Sequence, residues 1–111
     1  MKLNPSKLIN INENIKLNLV RNYACISLNY TKGVMLSIEQ IEKLIEAYNT
    51  KSEIKLKGQT TFSWIELKDD YMYMYSKLSE RGIIHEKETK EIIIHLEEYF
   101  KTLIEFLGKN D

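Results

Sequence analysis

In FSWIELKDDYMYMY, residues 62–75, apolar and other side chains alternate with a period of two on both sides of a charged Lys68-Asp69-Asp70 break. Only a β-hairpin satisfies that pattern. Successive strand side chains point to opposite faces. One face of the hairpin therefore carries Ile65, Leu67, Met72 and Met74, an aliphatic core set, while the other carries Phe62, Trp64, Tyr71, Tyr73 and Tyr75. The chain has to build a sheet with one side suited to a core. What the ring-bearing side touches is the question of function.

The rest of the chain follows the same grammar. Leu8 to Asn12, Ile15 to Val20 and Tyr23 to Tyr30 alternate as strands, with Arg21-Asn22 as a tight turn that lacks the glycine such turns prefer. A short strand, Val34 to Leu36, runs into a helix. Ser37 and Gln40 form a capping-box signature there, and Ile38, Ile41, Leu44, Ile45 and Tyr48 recur at helical spacing as far as Asn49. Ser52 to Lys57 is a further strand, ended by Gly58. After the aromatic hairpin, Ser79, Glu80, Arg81 and Gly82 read as a loop. Glu86 and Glu88 suit the first turn of a second helix, whose stripe is Ile92, Leu96, Tyr99, Phe100, Leu103 and Leu107.

The halves 6–50 and 52–107 match in outline: Tyr23 falls with Tyr71, Lys32-Gly33-Val34 with Arg81-Gly82-Ile83, and the offset drifts from 46 to 51 residues. The expected fold is α+β. One or two antiparallel sheets come from two strand-rich halves, each followed by an amphipathic helix packed on an aliphatic sheet face, in a single domain spanning 1–111.

The junction GVMLSIEQIEKL, where Gly33, Leu36, Ser37, Glu39, Gln40 and Leu44 take the chain from sheet into capped helix, resembles a group of single-stranded nucleic-acid-binding proteins. That group includes the positive-cofactor transcriptional coactivators, the Whirly proteins and the PUR repeats. The resemblance covers about a dozen residues and the order of elements; it implies a strand-rich repeat plus helix and a nucleic-acid ligand, and transfers no binding residue one by one.

Composition narrows the function classes. A length of 111 residues supports a conventional core without disulfides. The single cysteine, Cys25, has no partner in the chain, and no Cys/His cluster has zinc spacing. No hydrophobic run approaches the ~18 residues of a membrane span, and residues 1–12 carry no signal-peptide pattern, so a cytoplasmic protein is expected. Heavy use of Ile, Lys, Asn and Tyr with little Ala, Gly or Pro is a bias associated with low-GC bacteria and their mobile elements. Sixteen basic residues balance sixteen acidic ones, but unevenly: strand-rich segments are positive and helical segments negative.

The outward sheet face then presents Lys16, Asn18, Lys55, Lys57, Phe62, Trp64, Tyr71, Tyr73 and Tyr75. Bases stack on aromatic rings and lysines neutralise phosphates, so such a face suits single-stranded DNA or RNA. The competing expectation is that the rings are buried in the core or in an oligomer interface, because apolar patches of this size are rare on monomers without a partner. A protein-interaction module stays open on the same residues: an immunity or anti-defence inhibitor, or a homodimer closed through the aromatic face. Acid-faced helices bearing Glu39, Glu42, Glu46, Glu86, Glu88 and Glu91 offer mimicry of a phosphate backbone. His85, His95, Cys25 and the acids Glu66, Asp69 and Asp70 lack the spacing of a catalytic or metal site. No phosphate loop, hydrolase elbow or metalloprotease motif occurs, so no enzyme and no cofactor are expected.

Overall fold

Short connections decide the architecture, because consecutive strands within each half are joined by too few residues to leave one another's side. The computed structural model describes residues 6–29, 32–59, 63–76 and 79–109. Four strands come first: β1 (Ser6–Asn10), β2 (Ile15–Val20), β3 (Tyr23–Leu28) and β4 (Lys32–Ser37), followed by the helix α1 (Ile38–Asn49). Then come β5 (Ile54–Lys57), β6 (Ser63–Lys68), β7 (Tyr71–Ser76), β8 (Ser79–Ile84) and the helix α2 (Glu86–Lys109). The protein is α+β, with two separate four-stranded antiparallel sheets, β1-β2-β3-β4 (sheet 1) and β5-β6-β7-β8 (sheet 2). Corresponding elements start 48 residues apart: Ile15 and Ser63, Tyr23 and Tyr71, Ile38 and Glu86.

Turn chemistry fixes the registers. Asp69 and Asp70 both take positive φ, 53° and 67°, the left-handed pair a two-residue hairpin needs and a conformation short Asp side chains tolerate. Lys68 thereby faces Tyr71 and Ile65 faces Met74. Arg21 adopts φ 49° without being glycine, and the Tyr99 hydroxyl donates to its carbonyl at 2.6 Å. Strand β1 stops at Asn10, two residues before the sequence predicts, because the Asn12 side chain accepts from the N–H groups of Asn14 (2.7 Å) and Ile15 (2.9 Å) and rolls the chain into a turn.

Helix α1 starts where its capping signature predicts, and Glu86 and Glu88 lie in the first turn of α2 as expected. The Ser37 hydroxyl accepts from the Gln40 N–H while the Gln40 side chain accepts from the Ser37 N–H, a closed capping box. At the other end Lys51 enters the left-handed region at φ 58°. Ser52 N–H then reaches the Ala47 carbonyl at 2.8 Å and Lys51 N–H that of Tyr48 at 3.3 Å, the paired bonds that end a helix on such a residue. In α2 the buried Thr89 hydroxyl donates to the Ile84 carbonyl at 3.1 Å. The run Ile92-Ile93-Ile94, a strand former locally, is helical: Ile92 and Ile93 are buried and Ile94 is exposed.

The aliphatic inward positions of the two central hairpins are buried. Leu17, Ile26, Ile65 and Met74 have no exposed surface, and they join one continuous core with Leu36, Leu44, Ile92 and Leu96. Helix α1 packs on strands of both sheets, β3 and β4 of sheet 1 and β5 and β6 of sheet 2, while α2 packs on β7 and along α1. At about 36 Å, α2 is long enough for Tyr99 to reach the Arg21 turn of sheet 1. Gln59 stitches the halves together: its N–H donates to the Met35 carbonyl at 2.9 Å and its side chain to Gln40 at 2.8 Å.

The segment read as a loop, Ser79 to Gly82, is instead the start of β8, which pairs Ile84 with Met72 and Ile83 with Tyr73. An edge strand bonds on one side only and tolerates a charged, glycine-containing sequence. The irregularity between Met74 and Ser76 absorbs the mismatch. Tyr30 and Phe62 lie outside the described residues.

Candidate functional site

Residues directly opposite in an antiparallel pair share a face, so the registers write out the outer side of sheet 2 in rows. One row is Lys57, Trp64 and Tyr75; the next is Lys55, Glu66, Tyr73 and Ile83; the third is Lys68 and Tyr71. Arg81, two residues before Ile83 on β8, falls on the same side. The structure thus brings together six of the nine residues expected to form a surface: Lys55, Lys57, Trp64, Tyr71, Tyr73 and Tyr75.

Lys16 and Asn18 belong elsewhere. They sit on the outer side of sheet 1, Lys16 opposite Ser27 and Asn18 opposite Cys25. Splitting the eight strands into two sheets separates them from the ring-bearing rows, correcting the single surface that alternation alone predicts. The ninth, Phe62, is outside the described residues.

The rings are half-buried, neither sealed like Met72 and Met74 beneath them nor fully open. They cover one another. Trp64 and Tyr75 stack at 6.1 Å with planes 15° apart, Tyr71 and Tyr73 at 6.5 Å and 29°, and His85 meets Tyr71 edge-on at 5.7 Å.

Cations lie on top of the rings. The Lys55 ammonium is 5.3 Å from the Tyr75 centroid and 6.0 Å from that of Trp64, and the Arg81 guanidinium carbon is 4.1 Å from Tyr73 and 5.8 Å from Tyr75. Hydrogen bonding to the Tyr75 side chain, with a lesser contribution from the Glu66 carboxylate, raises the Lys55 pKa above its ordinary value. Arg81 also pairs with Glu66 at 2.6 Å. Among the described residues, four cations, Lys55, Lys57, Lys68 and Arg81, share this side with the carboxylate of Glu66. Two members escaped the sequence reading. Arg81 was hidden in the apparent loop and Lys68 in the apparent turn; the signal that finds both is the alternation continuing through Arg81-Gly82-Ile83-Ile84 and up to Lys68.

A second feature is an open groove of ≈ 340 Å³ between the end of α1 and the β6–β7 turn, lined by Tyr48, Lys51, Leu67 and Asp70 among others. Within it Lys51 pairs with Asp70 at 3.4 Å and lies 5.3 Å from the Tyr48 ring. Among the described residues no three His, Cys, Asp or Glu side chains are grouped to hold a metal, and no helix is long and apolar enough to cross a membrane. No protein-family model matches the chain, and neither a curated protein nor a solved structure matches it.

Proposed function

We propose that this is a small non-enzymatic protein that binds single-stranded DNA or RNA on the outer side of sheet 2. One observation carries the proposal: rings and cations share contiguous rows on a single, half-open sheet face whose opposite side supplies the buried residues Leu56, Ile65, Leu67, Met72 and Met74. Each base stacked on such a group contributes ~1–3 kcal/mol, whatever its identity. Each phosphate neutralised adds about 0.7 to the salt slope for a single strand, so the three lysines of this face, Lys55, Lys57 and Lys68, give a slope of about −2. Single strands are favoured over duplex because only unpaired bases offer their faces to a ring. The resemblance carried by Gly33 to Leu44 points to the same ligand class.

Fluorescence anisotropy with labelled single- and double-stranded oligonucleotides across a salt series tests this. Wild type binds the single strand at low salt and releases it as salt rises, and Trp64→Ala plus Tyr73→Ala weakens binding. Absence of binding at low salt, or binding unchanged in the double variant, overturns it.

A protein partner is the alternative, favoured by β8, an edge strand on which Ile83 is 48% exposed beside the aromatic rows. Such an edge accepts a strand from a second chain. Sizing chromatography together with Trp64 fluorescence separates the two: a stable dimer with an unquenchable Trp64 supports the interface, and a monomer with quenchable Trp64 opposes it.

A further inference from the structure

We infer that at the centre of this face a base stacks on the Arg81 guanidinium rather than on a bare ring, with Glu66 as the residue that positions it. The inference rests on the single-strand reading above and specifies how that ligand is recognised. Tyr73 is the middle ring, yet its face is already occupied: at 4.1 Å the Arg81 guanidinium lies at packing distance from the ring. A base that stacked directly on Tyr73 would first have to lift Arg81 away, losing both that contact and the 2.6 Å pair with Glu66.

Stacking on the guanidinium sacrifices neither. The group is planar, delocalised and weakly hydrated, so it stacks on a ring with one face and accepts a base on the other. The Arg81 side chain is 53% exposed while its Glu66 partner is 25% exposed, which leaves the arginine accessible from outside as the carboxylate anchors it from within. Tyr73, Arg81 and the base then form three layers. Lys55 sits comparably over Tyr75 and Trp64, but an ammonium has no plane to offer and serves phosphates only.

The test separates plane from charge. Arg81→Lys keeps the positive charge and removes the plate; Arg81→Ala removes both; Glu66→Gln keeps the arginine and weakens its anchor. With a labelled oligothymidylate at fixed salt, Arg81→Lys loses at least about fivefold in affinity, close to the loss in Arg81→Ala, while its salt slope stays that of wild type. Glu66→Gln falls between wild type and Arg81→Lys. With inorganic polyphosphate, which has charge but no bases, Arg81→Lys competes as well as wild type. Arg81 lies on an edge strand, and matching thermal melts verify that the variants fold. If Arg81→Lys binds oligothymidylate within twofold of wild type while Arg81→Ala does not, Arg81 is an ordinary phosphate contact and the inference falls, leaving the single-strand reading intact. If wild type itself binds no oligonucleotide, both fall.

Discussion

The two sheets are alike underneath and different on top. At a constant spacing of 48 residues, inward positions are filled interchangeably: Leu17 and Ile65, Leu19 and Leu67, Ala24 and Met72, Ile26 and Met74 are all buried. Outward positions at the same spacing mostly diverge. Lys16 stands where sheet 2 has Trp64, Cys25 where it has Tyr73, Ser27 where it has Tyr75, and Gly33 where it has Arg81. Among the outward positions of β2, β3 and β4, only Tyr23 agrees with its counterpart, Tyr71. Packing accounts for the inner set, since aliphatic side chains of roughly the right volume fill a core. It gives no reason to gather three tyrosines, a tryptophan and four cations on one outer side. Sheet 1 therefore serves as an internal control, a face of the same architecture on which Tyr23 stands without the cluster of rings and cations.

The comparison can be broken most forcefully at the shared level. Ile26→Ala and Met74→Ala remove equivalent, fully buried side chains, and each is expected to lower stability by ~2–5 kcal/mol in urea melts. A loss confined to one sheet would mean that the undersides are not equivalent. At the level where the faces differ, Lys55→Ala plus Lys57→Ala should reduce the magnitude of the salt slope for a single strand by about 1.4. Lys16→Ala on sheet 1 should leave that slope unchanged. An effect from Lys16 matching that of the pair would extend the binding surface onto both sheets.

The smallest effect probes what ties the sheets together. Tyr99→Phe deletes the bond to the Arg21 carbonyl and should cost about 1 kcal/mol in thermal melts. Burial raises the Tyr99 pKa above the ordinary tyrosine value of 10.0. Its contribution is thus complete below that value and is lost as pH climbs through the higher folded-state pKa. Wild type should lose stability above pH ~10 by more than Tyr99→Phe does; parallel curves would show that Tyr99 is not the group responsible.

Much of this was legible from local pattern. Alternation placed β2, β3, β6 and β7 to within a residue or two, because the two-residue turns Arg21-Asn22 and Asp69-Asp70 fix register directly. The Ser37 and Gln40 signature placed α1, because a capping box is a local bond pair. Relations between elements were not legible. Nothing in alternation says whether the strands make one sheet or two, so alternation alone groups Lys16 and Asn18 with rings they do not neighbour. Strand β8 was missed because an edge strand needs bonds on one side only and so carries a loop-like sequence, Ser-Glu-Arg-Gly. With it went the Arg81 contact to Tyr73, which exists only through the β7–β8 pairing. Sequence alone aligns Gly33 with Gly82, whereas pairing sets Gly33 opposite Ser27 and Gly82 opposite Met74.

Mapping amide chemical-shift changes while titrating oligothymidylate into the protein tests the difference between the faces most directly. Changes concentrated at Lys55, Trp64, Tyr73, Tyr75 and Arg81, with Lys16, Asn18 and Cys25 unmoved, are the predicted result. Changes centred on sheet 1 or on the helices, or none at saturating oligonucleotide, would contradict the assignment of the ring-bearing face as the nucleic-acid surface.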